Sequence, residues 1–301
     1  MFDLNKIACP LCLRPLEKQD SELICSECKQ AYKIESGIPV ILRNDLLNKE
    51  INTREAVWKR KEMEGFDEVE SYEELMKRPY FAHLKQKINE ELDGLDKEKN
   101  DVLEVGSGIS IFAERFSDKN LVLTDINFSL LQKNKKESLK IVADGEYLPL
   151  FDQSFDFIYS IGLIHHLPNQ KRGLKELKRL IKPGGQIFIS EPTKWSVNLI
   201  YYFLRRIFLL FFGHRLLRKL TGCGTPYESF IDLKQVKEIF KNDFEIKTKK
   251  ILPFRLPPFR FLEKQKWIIG LNRFLEKIPL IKSLGTIIFI TLTRKRYYGV
   301  R

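Results

Sequence analysis

The sequence predicts an α/β chain, a seven-stranded doubly wound sheet preceded by a small cysteine-bearing module. Three observations predict it. From residue 101 onward, short β-rich runs alternate with helical stretches, the pattern of a parallel sheet with crossover helices. The first of those runs ends in a glycine turn, "DVLEVGSGIS" at 101–110. Four of the five cysteines fall in two Cys-x-x-Cys pairs near the start. With 301 residues, 43% hydrophobic and 31% charged, the chain can bury one large core and a smaller satellite, which excludes a disordered chain.

Residues 1–44 read as short strands and turns around "CPLC" and "CSEC", ending in "GIPVIL". Cys9 and Cys12 precede Cys25 and Cys28 with twelve residues between the pairs, room for a hairpin joining two metal-binding knuckles. Four thiolates suit tetrahedral zinc in a closed, structural site. Buried thiols or a redox pair are the alternatives, and a redox motif would need a βαβ context that is missing here. Residues 45–98 carry dense mixed charge with scattered apolar positions and read as a helical connector and cap.

Residues 99–301 hold the predicted sheet, with strands at "DVLEV", "NLVLTD", "LKIVAD", "FDFIYSI", "GQIFISE", "DFEIKTKKI" and "TIIFITLT". A Pro-Gly-Gly turn is expected between a helix and the fifth strand. Two insertions, at about 193–226 and 253–284, interrupt the last part of the domain.

A strand running into Gly-x-Gly suits dinucleotides and S-adenosylmethionine alike, because both need backbone to approach a ligand where a side chain would block it. The third glycine of a dinucleotide turn falls on Ile111, which disfavours a pyrophosphate. Glu104 at the strand end suits a ligand carrying an ammonium group. Asp125 ends the next strand, about 20 residues after the turn, where an acid takes ribose hydroxyls. Asp144 ends the third and can accept from an adenine amino group.

The ordered series "LEVGSGIS", "LTDIN", "VADGEYLPLFDQSFDFIYSIGLIHHL" and "IKPGGQIFISEP" resembles the class I S-adenosylmethionine-dependent methyltransferases of the type 11 group, which includes ubiquinone-pathway and other small-molecule enzymes. That resemblance implies a Rossmann-like fold in which Glu104, Gly106 and Gly108 hold the methionine part of the donor, Asp125 the ribose, and Asp144 and Gly145 the adenine, with Ser160 beside them. Ser107, Ile126 and Glu146 complete the candidate donor-binding set. Ser110 stands where the family pattern has a further glycine. The N-terminal segment, with "CKQAYKIESGIPVIL" after its last cysteine pair, resembles zinc-ribbon, Trm112-like modules joined to some methyltransferases, which implies a structural role or contact with a protein partner.

An oxygen or nitrogen acceptor that stays protonated at neutral pH needs a base. His165, just beyond the fourth strand, is the first candidate and His166 the second, with the packing role of a loop histidine as the alternative. Glu191, closing the fifth strand, is a second base or an orienting group. The Asn/Asp-Pro-Pro-Tyr sequence that similar enzymes use on planar amino groups is replaced by "SIGL" at 160–163, which disfavours nucleobase or glutamine amides.

The expected activity is therefore methyl transfer to an oxygen, nitrogen or carbon of a small-molecule, lipid or glycan-linked acceptor. A ribosomal RNA guanine methyltransferase that binds RNA through its zinc ribbon is the rival, and a catalytically silent adaptor the third reading. Charge bears on this choice: residues after 192 carry 23 Lys and Arg against 7 Asp and Glu, whereas residues 1–192 carry 29 against 33. An anionic partner is expected there.

"WSVNLIYYFLRRIFLLFFGHRLLRKL" at 195–220 sets Arg205 and Arg206 in the middle of an apolar run, where each would cost roughly 2.5–3.5 kcal/mol in a bilayer centre. The pattern fits a helix lying in an anionic membrane interface, and equally one packed inside the protein or against a second copy. The N-terminal "MFDLNKIACP" has no basic stretch followed by an apolar one, so a cytoplasmic protein is expected, at the inner face of the membrane if the insertions attach.

Overall fold

The computed structural model describes residues 4–48, 50–64, 77–95, 99–193, 229–251, 267–275, 277–278 and 285–296. The first insertion, with its expected interfacial helix at 195–220, lies outside the described residues, as does most of the second.

Seven strands occupy the runs that the sequence marks: β5 (Asp101–Val105), β6 (Asn120–Asp125), β7 (Leu139–Ala143), β8 (Phe155–Ile161), β9 (Ile181–Pro192), β10 (Phe244–Ile251) and β11 (Ile287–Arg294). Their order is β7-β6-β5-β8-β9-β11-β10, with the first five parallel and β11 antiparallel to both neighbours. The chain reverses between β5 and β8, so the carboxyl ends of these strands open the crevice in which such sheets hold ligands.

Among the described residues the sheet has eleven strands instead of the seven expected. The extra four are β1 (Leu16–Gln19), β2 (Glu22–Cys25), β3 (Ala31–Glu35) and β4 (Ile38–Ile41), an antiparallel meander within the cysteine module. β4 adds in parallel to β7, with Val40 opposite Val142 and Ile41 opposite Ala143. An otherwise exposed edge is thus covered by the chain's own N-terminal module. Strand character was readable there from the residues, but the edge a strand joins is a property of the folded sheet.

Alternation along the central strands divides the core by face. Leu103, Val122, Ile158, Ile187 and Ile290 face one side, where Leu174 and Leu177 of α5 (Gln170–Leu180) and Val236 and Phe240 of α6 (Leu233–Phe240) cover them. Ile7, Cys9, Leu23 and Tyr32 of the cysteine module belong to that same cluster. Val102, Leu123, Phe157, Phe188 and Phe289 face the other side, against Ile88 and Leu92 of α3 (Pro79–Leu92), Ala56 of α2 (Arg54–Glu64) and Leu131 of α4 (Phe128–Lys133). The short helix α1 (Asn44–Leu47) links β4 to α2.

The expected Pro-Gly-Gly turn proves to be part of β9. α5 ends at Leu180, β9 begins at Ile181, and the register against β8 shifts between Phe155 and Phe157. Gly184 takes a φ of +78°, which only glycine adopts without strain. In the second insertion α7 (Trp267–Leu275) is described, and no helix among the described residues is long and apolar enough to cross a membrane.

Candidate active site

The carboxyl ends of β5, β6, β7 and β8 bring most of the predicted residues to one crevice. At the end of β5, Glu104 is buried and accepts hydrogen bonds from Tyr159 Oη at 2.9 Å and from Ser110 Oγ. Burial pushes its carboxyl up to about 8 against the lowering effect of those two donors, with the nearby Asp125 charge adding to the rise. The turn then folds back on β6, where Gly106 N and Ser107 N both donate to Thr124 O, at 2.8 and 3.0 Å.

Gly106 has φ +74°, and a Cβ there would lie 2.8 Å from Leu163 Cβ, so both conformation and space demand glycine. Ser110, in the place of a glycine, also has positive φ, +48°. Its hydroxyl bond to Glu104 gives the side chain a use at a position whose backbone favours none.

Asp125, half-buried at the end of β6, closes the turn: Gly108 N donates to Oδ2 and Asn127 N to Oδ1, both at 2.8 Å. Burial raises its carboxyl, the Glu62 charge adds to that, and the two amides and His166 oppose it. Ile126 is partly buried and packs against the same core cluster as Val102 and Leu123.

At the end of β7, Asp144 and Glu146 are buried around Lys59 of α2, which is itself 2% exposed. Lys59 Nζ lies 2.6 Å from Asp144 Oδ2, 2.9 Å from Glu146 Oε2 and 3.1 Å from Glu55 Oε1. The acids hold the ammonium charged against burial, while burial raises Glu146 despite the lysine. Asp144 Oδ1 accepts from Glu146 N, and Glu146 Oε1 from Asn169 N. Both Asp144 oxygens are therefore engaged, and an adenine amino group would have to use their remaining lone pairs. Gly145 between them faces Leu163, 3.4 Å from where a Cβ would stand.

Ser160, fully buried in β8, has no hydrogen-bond partner for its hydroxyl among the described residues, nor does buried Ser107. Buried polar atoms without partners cost free energy unless a ligand engages them. A glycine cradle, an acid at each of three successive strand ends and two waiting hydroxyls suit a donor with an amino-acid end and a nucleoside end.

His165 and Glu191 meet on the other side of the crevice. Nδ1 is 2.6 Å from Glu191 Oε2, and Ile164 N donates to Oε1 at 2.7 Å. A carboxylate only accepts, so Nδ1 carries a proton, and Nε2 is the acceptor nitrogen whenever the ring is neutral. Glu191 is fully buried in this contact, the geometry of an orienting group. The His166 ring lies tilted against that of His165, 4.0 Å between centroids, and turns Nδ1 toward Glu62 Oε1, 3.7 Å away.

The cysteines form a separate cluster. Their four sulfurs lie within 4.8 Å of one another, with Cys9–Cys28 at 3.6 Å and Cys12–Cys25 at 3.4 Å. A tetrahedron with bonds of about 2.3 Å has edges of about 3.8 Å, so the donor set matches zinc in type and size. Tyr32 Oη stands 3.4 Å from Cys9 Sγ.

Lys59, Glu62, Tyr159 and Leu163 escaped the sequence reading. Only Tyr159 had a local signal, the alternation that turns it to the Glu104 side. Lys59 and Glu62 sit in a mixed-charge helix where neither stands out.

Comparison with known proteins agrees with this geometry. Residues 103–189 match the family model described as a methyltransferase domain, and residues 4–37 match the Trm112p-like protein model. The ubiquinone/menaquinone biosynthesis C-methyltransferase UbiE of Rickettsia bellii is 29% identical over 155 residues, covering 44% of this chain and 60% of that protein. The malonyl-[acyl-carrier protein] O-methyltransferase of Hamiltonella defensa is 36% identical over 108 residues, covering 34% of this chain and 42% of that protein. The chain thus spans about half the length of the curated relatives it matches. A chain from the complex of the Haloferax volcanii Trm112 methyltransferase activator with a candidate methyltransferase shares the fold, with TM-score 0.52 and 14% identity over 79% of this chain and 99% of that one. Residues 103–189 are thus similar to methyltransferase domains, and the segment before them, residues 4–37, to Trm112p-like proteins.

Proposed function

We propose that the protein transfers a methyl group from S-adenosylmethionine to an oxygen, nitrogen or carbon of a small-molecule, lipid or glycan-linked acceptor. The observation that carries this reading is the alignment of Glu104, Asp125 and Asp144 at three successive strand ends around a glycine cradle, with the unpaired Ser107 and Ser160 hydroxyls in the same region. The sulfonium supplies an activated methyl group, so alignment and exclusion of water are the protein's main tasks. Glu104 receives the ammonium end and Asp125 the ribose, while Asp144, Gly145 and Glu146 border the adenine. His165 Nε2 takes a proton from an acceptor that carries one, and Glu191 orients the ring and stabilises its charged form.

Zinc, in this reading, is structural, held by Cys9, Cys12, Cys25 and Cys28. The pairing of β4 with β7 supports the chain's own sheet as the protein surface that the module serves. Peripheral contact with an anionic membrane is supported by the basic excess after residue 192 and by Trp267 and Phe274, 52% and 63% exposed one above the other on α7.

The decisive experiment is binding followed by transfer. Calorimetry with S-adenosylmethionine and with NAD should give binding only for the first. Incubation with the methyl-labelled donor and separate lipid, small-molecule and RNA extracts should then label one of the first two. Preferential binding of NAD would reject the reading, and label confined to RNA would reject its acceptor class.

A further inference from the structure

Helix α2 buries an unusual stripe. Ala56, Lys59 and Glu62, one helical turn apart, point inward, so two of its three buried positions are charged. Thr53 Oγ1 caps the start by accepting from Ala56 N at 3.2 Å, and near the other end Met63 O accepts from Asn127 Nδ2 at 2.8 Å. Asn127 follows Asp125 by two residues, and its own side chain caps α4 by accepting from Leu130 N. The carboxyl-terminal turn of α2 is therefore tied to the strand end that carries Asp125, and Lys59 ties its middle to the strand end that carries Asp144 and Glu146.

Between those two ties sits Glu62. It is 8% exposed, and its Oε1 accepts no hydrogen bond from the described residues. The ring nitrogen of His166, Nδ1, lies 3.7 Å from it, beyond hydrogen-bond length, and the carboxylate of Glu62 is among the groups that push Asp125 up. A buried carboxylate oxygen without a donor is costly, and a ligand hydroxyl would satisfy it. Asp125 gives each of its oxygens to one backbone amide, which leaves it lone pairs for a hydroxyl of its own. Two acids that feel each other's charge, one open and one half-engaged, suit a vicinal diol that donates one hydroxyl to each.

Resting on the donor reading above, we propose that Glu62 is a ligand-binding residue that shares the donor's ribose diol with Asp125, and that Lys59 is the positioning residue that holds it there. The connector thus supplies part of the donor site that lies outside the segment matching the methyltransferase domain.

The test uses the full chain with S-adenosylhomocysteine and its 2′-deoxy and 3′-deoxy analogues as calorimetric probes. Glu62→Gln, which keeps shape and loses charge, should weaken the parent ligand roughly three- to tenfold, and Glu62→Met, which removes the acceptor, at least tenfold. Wild type should lose affinity on removal of one ribose hydroxyl, and Glu62→Met should show no further loss for that same analogue. Unliganded melting temperatures of both variants should equal or exceed that of wild type, since each removes an unsatisfied buried charge. A drop in melting temperature with hydroxyl selectivity intact would make Glu62 a structural partner of His166 and overturn the proposal. Parent-ligand affinity within twofold of wild type in both variants would overturn it as well. Wild type that binds none of the three probes would instead defeat the donor reading on which it stands.

Discussion

Two groups of acids, buried or half-buried, gather at neighbouring strand ends and the helix beside them, and they are neutralised differently. Asp144 and Glu146 surround Lys59, with every oxygen in a bond to the lysine or to a backbone amide. Glu104, Asp125 and Glu62 have no lysine or arginine bonded to them among the described residues; hydroxyls hold Glu104, backbone amides Asp125, and His166 stands 3.7 Å from Glu62. The first group carries its own counter-ion and serves to fix α2 in place. The second lacks one, the condition expected where a ligand brings an ammonium and hydroxyls.

Metal removal should disturb the two groups unequally, and with the largest effect. Zinc contributes about 10 kcal/mol or more to modules of this kind, so one ion per chain should copurify, and a strong chelator should unfold the ribbon. Because β4 covers β7 and Arg43 stacks 3.8 Å over Tyr147 while pairing with Glu55, the damage should reach the Lys59 side of the crevice first. Hydrogen exchange should show lost protection in β4, β7 and α2 before β5 and β8. Purified protein without zinc, or uniform deprotection of all strands, would remove this asymmetry.

Lys59→Met comes next. Deleting this buried cation strands two buried acids, a loss of about 3–5 kcal/mol in denaturant melts. Adding Asp144→Asn and Glu146→Gln should recover much of it. Glu104→Gln, in the group without a lysine, should cost little or nothing in the same melts. Equal losses for Lys59→Met and Glu104→Gln would break the distinction between the groups.

The contrast also explains what was legible in the sequence. The glycine turn, Asp125 and Asp144 were visible because strand, turn and acid follow one another within a few residues, and local order carries the chemistry. The pairing of His165 with Glu191 joins positions 26 residues apart, yet both were marked because each ends a readable strand or follows one. Lys59 reaches Asp144 across 85 residues from a helix with charges on all sides, and nothing local distinguishes it from Lys61. The same holds for β4, whose strand character is readable while its place beside β7 depends on a sheet edge formed a hundred residues later.

In the group without a lysine, Asp125→Ala should weaken S-adenosylmethionine by about 1.5–3 kcal/mol, the worth of a hydrogen bond to a charged acceptor. Calorimetry at constant pH measures it, and unchanged affinity would take the ribose away from Asp125.

The smallest effect is the most specific, because it depends on Glu104 having no resident cation. Its folded-state carboxyl titrates at about 8, well above the ordinary value of 4.5, so the folded protein keeps a proton that the unfolded chain releases between those limits. The associated stability is fully present below pH 4.5 and is lost as pH rises toward 8. Ligand binding runs the opposite way. An ammonium needs the carboxylate, so at pH 7 about one unit of deprotonation, about 1.4 kcal/mol, is charged against affinity. Between pH 6 and 7.5, below the range in which the ligand's own amino group begins to titrate, affinity for S-adenosylmethionine should rise up to tenfold per unit, with about one proton released per ligand bound. Calorimetry in buffers of different ionisation enthalpy reads that proton directly. In Glu104→Gln both the slope and the proton should vanish while Lys59→Met keeps them; a pH-independent wild type would mean that Glu104 is already ionised in the free protein and that the two groups of acids differ less than their partners suggest.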